Sequence, residues 1–369
     1  MNIAIVPWEE TELNNRMFND KTWYTQKNWF EKHGHKYETI DRFKNWSDID
    51  WILIFYGRLH RSYLRKFLCR GMAEKLIYVA FEPGFSDKNH SEKGIKKLLK
   101  CCKYILTWNP ELVDNKRVFK HSYPYLLAKN FGDQPFDKRK LLTAIYGNHF
   151  RLGKNILYVE RRKIFQYFDN FKEQFDLYGR KWGDEFKCYK GVVDNKIEVY
   201  HNYRFAISLE NVKGVKGYVT EKIFDCICAG IVPIYWGADD ISSYVPEDVF
   251  IDYSKFNSVE ELQTYLSEMG EETWNKYREA MCRYLNSEQS KLVSPEVHCS
   301  IICKLIIEDP AGKINFSLSD RIISYLDNIS LKESLKKCKF IKFIWENMGV
   351  RNFRDILQNK HISLKAKNK

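Results

Sequence analysis

One stretch constrains this chain more than any other: Tyr203 to Trp236, YRFAISLENVKGVKGYVTEKIFDCICAGIVPIYW. Phe205 to Leu209 is an apolar run of strand length. A polar loop with Gly214 and Gly217 follows, and Thr220 stands where a helix N-cap belongs. Ile223, Phe224 and Ile227 share one helical face, Gly230 stops the helix, and Ile231 to Trp236 reads as a second strand. A strand, a helical crossover and a second strand make a βαβ unit, which commits the region to a parallel sheet.

The turn of this unit carries Glu210, Asn211, Lys213, Lys216, Tyr218, Thr220, Glu221 and Lys222. A helix N-terminus offers unpaired N–H groups and partial positive charge, so it suits a phosphate. Lys222 opposes that dipole, and a cation there makes sense if an anion sits beside it.

The same alternation continues on both sides. Residues 1–7, Trp51–Tyr56, Leu76–Phe81 and Tyr104–Thr107 read as strands, with helices at Leu59–Ala73 and Glu92–Leu99 between them. The polar segment Asn130–Lys140 breaks the pattern and reads as a linker. Beyond it come Leu141–Tyr146, a helix over Asn155–Phe168, and a strand over Phe175–Tyr178 that runs into Gly179-Arg180-Lys181-Trp182-Gly183, a second candidate anion site. Helices follow at Val259–Met269, Glu271–Leu285 and His298–Ile307. The organisation expected is α/β throughout: residues 1–135, residues 136–310, and a basic helical tail over 311–369.

Charge and cysteine content narrow the classes. Net charge is +12, and residues 331–369 alone hold 11 Lys/Arg against three acids, a net of +8. Leu335, Cys338, Ile341, Trp345 and Met348 form an apolar stripe there, so this tail reads as an amphipathic helix for an anionic membrane surface, or as a terminal helix packed on the body. With the charge gathered in the tail and no nucleic-acid module in view, nucleic acid is not expected as a partner. The ten cysteines form neither a disulfide framework nor a zinc pattern. No signal-peptide or membrane-span pattern is visible, so the expected location is the cytosol or the cytoplasmic face of a membrane. There is no Walker loop, no G-x-G-x-x-G after a strand, no H-E-x-x-H and no serine elbow. Asp48-Ile49-Asp50 precedes its strand, the wrong place for a metal–nucleotide site. Glu82 stands at the carboxyl end of a strand, where ligands of such folds bind; His149 is the histidine nearest a site.

The order E-N, G-Y-V-T-E-K, G, V-P-I-Y-W-G within Phe205–Gly237 resembles the signature of the α-1,3-fucosyltransferases, most closely their bacterial members. Leu157–Lys163 and Asp176–Arg180 resemble the start of that family's donor domain. Phe81-Glu82-Pro83, Leu106–Asn109 and Tyr123-Pro124 resemble pieces of its acceptor domain. The resemblance covers roughly residues 76–270 and is thin before them. It implies the GT-B arrangement, two Rossmann-like domains across a cleft, with GDP-fucose as donor, inversion at the anomeric carbon and no divalent metal needed to hold the nucleotide. It places Arg180 and Lys222 on the diphosphate, Glu221 near the ribose, Asn211, Tyr218, Thr220 and Arg162 in the same nucleotide pocket, and Glu82 as general base. It further implies a glycan acceptor, fucosylated at O3 of GlcNAc or Glc, in lipopolysaccharide or surface polysaccharide synthesis, and a tail docked on the membrane. Oligomeric state is open. Two other readings compete: transfer of another GDP-linked 6-deoxyhexose, and a membrane-associated carbohydrate-binding protein without catalysis.

Overall fold

The computed structural model describes residues 1–327; the amphipathic stripe expected at 331–369 lies outside them. Two parallel sheets organise the chain. The first contains β1 (Asn2–Val6), β2 (Lys36–Thr39), β3 (Trp51–Phe55), β4 (Leu76–Val79), β5 (Tyr104–Thr107) and β6 (Val118–Lys120), in the order β2-β1-β3-β4-β5-β6. Its helices are α1 (Lys21–Lys32), α2 (His60–Cys69) and α3 (Glu92–Leu98). The central strands are apolar along their whole length because helices cover both faces; β3 and β4 are buried at every position.

The second sheet contains β7 (Lys140–Ile145), β8 (Phe175–Tyr178), β9 (Tyr203–Leu209), β10 (Val232–Trp236) and β11 (Ile251–Asp252), in the order β11-β10-β9-β7-β8. It carries α4 (Tyr158–Phe168), α5 (Lys196–Tyr200), α6 (Glu221–Ala229), α7 (Val259–Glu268), α8 (Glu271–Leu285) and α9 (Glu288–Lys291). The unit β9-α6-β10 is the crossover read from the sequence, and Gly230 closes α6 in the left-handed region at φ 70°.

Each sheet has one point where strand order reverses: between β1 and β3 in the first, between β7 and β9 in the second. Ligands of open parallel sheets bind outside the carboxyl ends of the strands at that point.

One expectation changes. The helix expected at His298–Ile307 is α10 (Pro295–Glu308), capped by Ser294. It crosses back: Cys299, Ile302, Leu305 and Ile306 sit in the same core as Ile3, Ile5 and Phe30 of the first domain. Its apolar face needs burial, and the first sheet has room beside α1. The domain expected to end at 310 therefore gives up its last helix to its neighbour. A further helix, α11 (Leu318–Asp327), follows within the stretch expected to be helical, before the described residues end. No helix among the described residues is long and apolar enough to cross a membrane.

Candidate active site in the interdomain cleft

Between the two sheets runs a cleft of about 1160 Å³. The first domain contributes Trp8, Glu9, Tyr56, Arg58 and Glu82; the second contributes Tyr146, Arg161, Arg180, Asn211, Glu221 and Lys222, among others.

The second domain's wall is built at its reversal point. Tyr146, just past β7, donates its phenol to the carbonyls of Ile207 (3.2 Å) and Leu209 (3.0 Å) and so fastens β9 beside it. Arg161 lies on the inner face of α4, with Ile164, Phe165 and Phe168, and is buried. One guanidinium nitrogen donates to Leu209 O (2.7 Å) and to Asn211 Oδ1 (3.0 Å), and the group lies over the Tyr146 ring at 4.3 Å. Its Nε is buried and has no protein partner. A buried cation with an unspent donor, lining a cleft, is suited to an anion.

Lys222 does not wait for a ligand to supply its counter-ion. The fully buried Glu210 carboxylate accepts from Lys222 Nζ (3.0 Å), from Thr220 N (2.8 Å) and from Thr220 Oγ1 (2.9 Å). Thr220 is the N-cap residue by position, but its side chain does not cap α6. Glu210, from the end of β9, satisfies its backbone N–H instead. The lysine that opposes the helix dipole is thus explained first by a carboxylate of the protein itself. The pairing holds the Lys222 ammonium above the ordinary lysine range, against its burial. Glu221 beside it is pushed down to about 2, because Lys222 and Lys196 outweigh burial. Lys196 is in turn paired with Asp225 (2.7 Å).

Glu82 faces this wall from the first domain, just past β4. His90 Nδ1 donates to Glu82 O (2.8 Å) while its Nε2 accepts from Thr107 Oγ1 (2.6 Å), a neutral arrangement that agrees with burial pulling this imidazole down to about 4. The loop is also held by Trp108 Nε1, which donates to Phe81 O (3.1 Å). Burial raises the Glu82 carboxyl above the usual range; Lys222 of the facing domain opposes the shift, and Glu221 and Glu210 reinforce it. The chemistry of this cleft is therefore shared between domains.

Of the residues expected from the sequence, Glu82, Arg180, Asn211, Glu221 and Lys222 line one cleft. Three do not. Tyr218 is buried against Trp108 (ring centroids 5.0 Å apart) in a cluster that joins the domains, and its oxygen accepts from Asn211 Nδ2 (3.1 Å). Thr220 is buried under Glu210. Arg162 turns away: it is ion-paired with Glu185, bonded to Asn148 Oδ1 (3.1 Å) and set over Trp182. Its neighbour Arg161 takes the inner place, and the sequence held the signal, since 161, 164, 165 and 168 form the apolar face of α4. His149 lines the cleft but is exposed. Among the described residues no group of three or more His, Cys, Asp or Glu is arranged to hold a metal ion.

Two α/β domains of this topology, meeting at a cleft lined from both sides, define the GT-B class of glycosyltransferases. The crystal structure of an α1,3-fucosyltransferase with GDP superposes with a TM-score of 0.52 at 15% identity, over 84% of this chain and 91% of that one. A DNA-modifying β-glucosyltransferase gives 0.52 at 14% identity, over 83% of this chain and 100% of that one. At such identities the likeness is one of fold. Sequence carries the family for one part of the chain: residues 138–314 match glycosyltransferase family 10 (fucosyltransferase), C-terminal part, and this stretch belongs to that family. It is 37% identical over 92 residues to an α-(1,4)-fucosyltransferase of Arabidopsis thaliana, covering 25% of this chain and 20% of that protein. It is 35% identical over 74 residues to the α-(1,3)-fucosyltransferase FucT of Helicobacter pylori, covering 20% and 15%. A third relative is the 4-galactosyl-N-acetylglucosaminide 3-α-L-fucosyltransferase 9 of Mus musculus, 31% identical over 108 residues and 28% of each chain. The chain thus spans between 15% and 28% of these curated relatives.

Proposed function

We propose that the protein transfers fucose from GDP-fucose to a hydroxyl of a glycan acceptor, with inversion at the anomeric carbon. One observation carries the reading: Glu82 of one domain and a cationic wall of the other, with Arg161, Arg180 and Lys222, face the same cleft. Glu82 takes the proton of the acceptor hydroxyl as its oxygen attacks C1 of fucose. The C1–O bond to the β-phosphate breaks from the opposite side, and GDP leaves with the electron pair. The raised Glu82 carboxyl suits a general base. Arg161, Arg180 and Lys222 face the developing diphosphate charge, the role otherwise taken by a divalent metal. Glu221, ionised throughout the neutral range, accepts from ribose hydroxyls. The relatives' names support an acceptor of the 4-galactosyl-N-acetylglucosaminide kind and attack by O3 of a GlcNAc or Glc unit. A surface polysaccharide is the cellular acceptor in this reading. The tail beyond the described residues holds the enzyme at an anionic membrane on its cytoplasmic face.

The test is a donor panel. GDP release is measured from GDP-fucose, GDP-rhamnose, GDP-colitose and GDP-mannose with N-acetyllactosamine present, and the product linkage is read by NMR. Turnover with GDP-fucose supports the reading. Turnover confined to another GDP sugar, or GDP binding without any transfer, defeats it.

A further inference from the structure

The first domain's reversal point is also furnished, with residues outside the family match at 138–314. Trp8 follows β1 and Tyr56 follows β3, adjacent parallel strands in register Val6↔Ile54. Glu82 follows β4, the next strand over, in register Phe55↔Val79 with β3. Three neighbouring strands therefore deliver Trp8, Tyr56 and Glu82 to one edge of one sheet, and all three line the cleft.

The first two loops are locked together. Arg58 N donates to Trp8 O (2.7 Å). Gly57 passes so close that a Cβ there would lie 2.3 Å from Trp8 O, so no larger residue fits without moving the backbone. The Trp8 indole is wedged against Trp23 (5.2 Å), Phe55 (4.8 Å) and Phe81 (5.4 Å), the last being the residue before Glu82. Yet Trp8 is only partly buried, and so is Tyr56. Neither the Trp8 indole N–H nor the Tyr56 hydroxyl has a hydrogen-bond partner among the described residues. Beside them Glu9 and Arg58 stand 3.8 Å apart, both largely exposed. Rigid aromatic faces with unspent polar tips, set at a ligand-binding edge, suit a ring that is apolar on its face and hydroxylated at its rim.

We propose that Trp8 and Tyr56 form a shelf that stacks one neutral hexopyranose of the acceptor and presents its hydroxyl to Glu82, with Glu9 and Arg58 bonding the ring's other hydroxyls. The proposal rests on the functional reading above, since it assigns the acceptor side of the same cleft.

The test separates the two. Saturation-transfer NMR with methyl β-lactoside and methyl β-N-acetyllactosaminide reads acceptor binding without turnover, on the wild-type protein and on Tyr56→Leu, Trp8→Phe and Trp8→Leu. Calorimetry with GDP reads the donor wall. The shelf predicts acceptor signals on the wild type that fall about tenfold in affinity in Tyr56→Leu and Trp8→Leu, less in Trp8→Phe, with GDP affinity kept within about twofold. If Trp8→Leu fails to fold, Tyr56→Leu decides, because that side chain is only partly buried, at the edge of the core beside His60. No acceptor signal on the wild type, or an undiminished one in Tyr56→Leu, overturns the shelf. Failure of the donor panel with these signals intact would instead overturn the functional reading and leave a glycan-binding shelf.

Discussion

Replacing Glu210 separates a structural demand from a catalytic one. Its carboxylate is fully buried and receives the Thr220 N–H, the Thr220 hydroxyl and the Lys222 ammonium. Glu210→Ala leaves that ammonium, itself only 16% exposed, without the deeper of its two carboxylates, and leaves a helix N–H unpaired. Removing one partner of a buried pair costs about 3–5 kcal/mol. For a domain of this size that corresponds to a fall in Tm on the order of 10 °C. Glu210→Gln keeps one acceptor oxygen and turns an amide toward the lysine, so it loses less, about 2 kcal/mol. The decisive variant is Glu210→Gln with Lys222→Met. If the cost is an uncompensated ammonium, the double variant is more stable than Glu210→Gln alone. Additive losses, or a Glu210→Gln loss below about 0.5 kcal/mol, would refute the argument. The pH dependence gives a second check. In the wild type the Lys222 pKa is raised, so its contribution is complete below the unfolded value and fades only as pH rises through the folded one. Without Glu210, burial lowers that pKa, and the penalty is then largest at neutral pH and vanishes above about 10. Denaturant titrations at pH 7 and pH 10 should therefore show the gap between wild type and Glu210→Gln narrowing at the higher pH.

Three other outcomes follow from the geometry. Because burial raises the Glu82 carboxyl, kcat/KM should fall with acid on a limb lying above the usual glutamate value of about 4.3, and Glu82→Gln should remove most turnover while keeping GDP affinity, as read by pH–rate profiles and calorimetry. Arg161→Met should weaken GDP binding by about tenfold or more, whereas Arg162→Ala, which breaks contacts with Glu185, Asn148 and the Trp182 and Phe186 rings away from the cleft, should change it by less than about twofold. If Arg161, Arg180 and Lys222 face the diphosphate as proposed, transfer should persist in excess EDTA, and abolition by EDTA with rescue by Mg²⁺ or Mn²⁺ would show that they are insufficient.

Strands with both faces buried announce themselves as apolar runs, so β1, β3, β4, β5, β9 and β10 were legible, the edge strand β8 was legible from the Gly179 turn that ends it, and α6 from its spacing and its closing glycine. β2 was not: Lys36-Tyr37-Glu38-Thr39 alternates without an apolar run, because it is an edge strand. β6 is three residues long and gave no signal. In the site, position along the chain placed Glu82, Arg180, Asn211, Glu221 and Lys222 in one cleft, since each follows a strand or opens a helix at the carboxyl edge. Direction was harder to read. Arg161 and Arg162 are neighbours of one type, and only their helical phase decides which faces in. Glu210 reads as an ordinary loop acid until β10 and α6 close over it. The return of α10 to the first domain was beyond reach, because an apolar helix records that it must be buried and not against what.

That return has a mechanical consequence. The chain crosses between domains twice, near Tyr125 and near Val293, and the two crossings are bonded side by side by Tyr125 N to Val293 O (2.7 Å). The outgoing strand is pinned to α6 soon after, by Asn130 N to Cys228 O (2.8 Å) and by the Tyr125 hydroxyl on Asp225. Two segments bonded side by side, one outgoing and one returning, make a narrow joint that bends about the line across them more readily than it twists. Opening the two halves about this joint would part the first domain's aromatic edge from the cationic wall, and would also have to part Trp108 from Tyr218. Because Tyr125 grips α6, the helix whose first turn carries Glu221 and Lys222, the pivot is fastened to the donor wall itself.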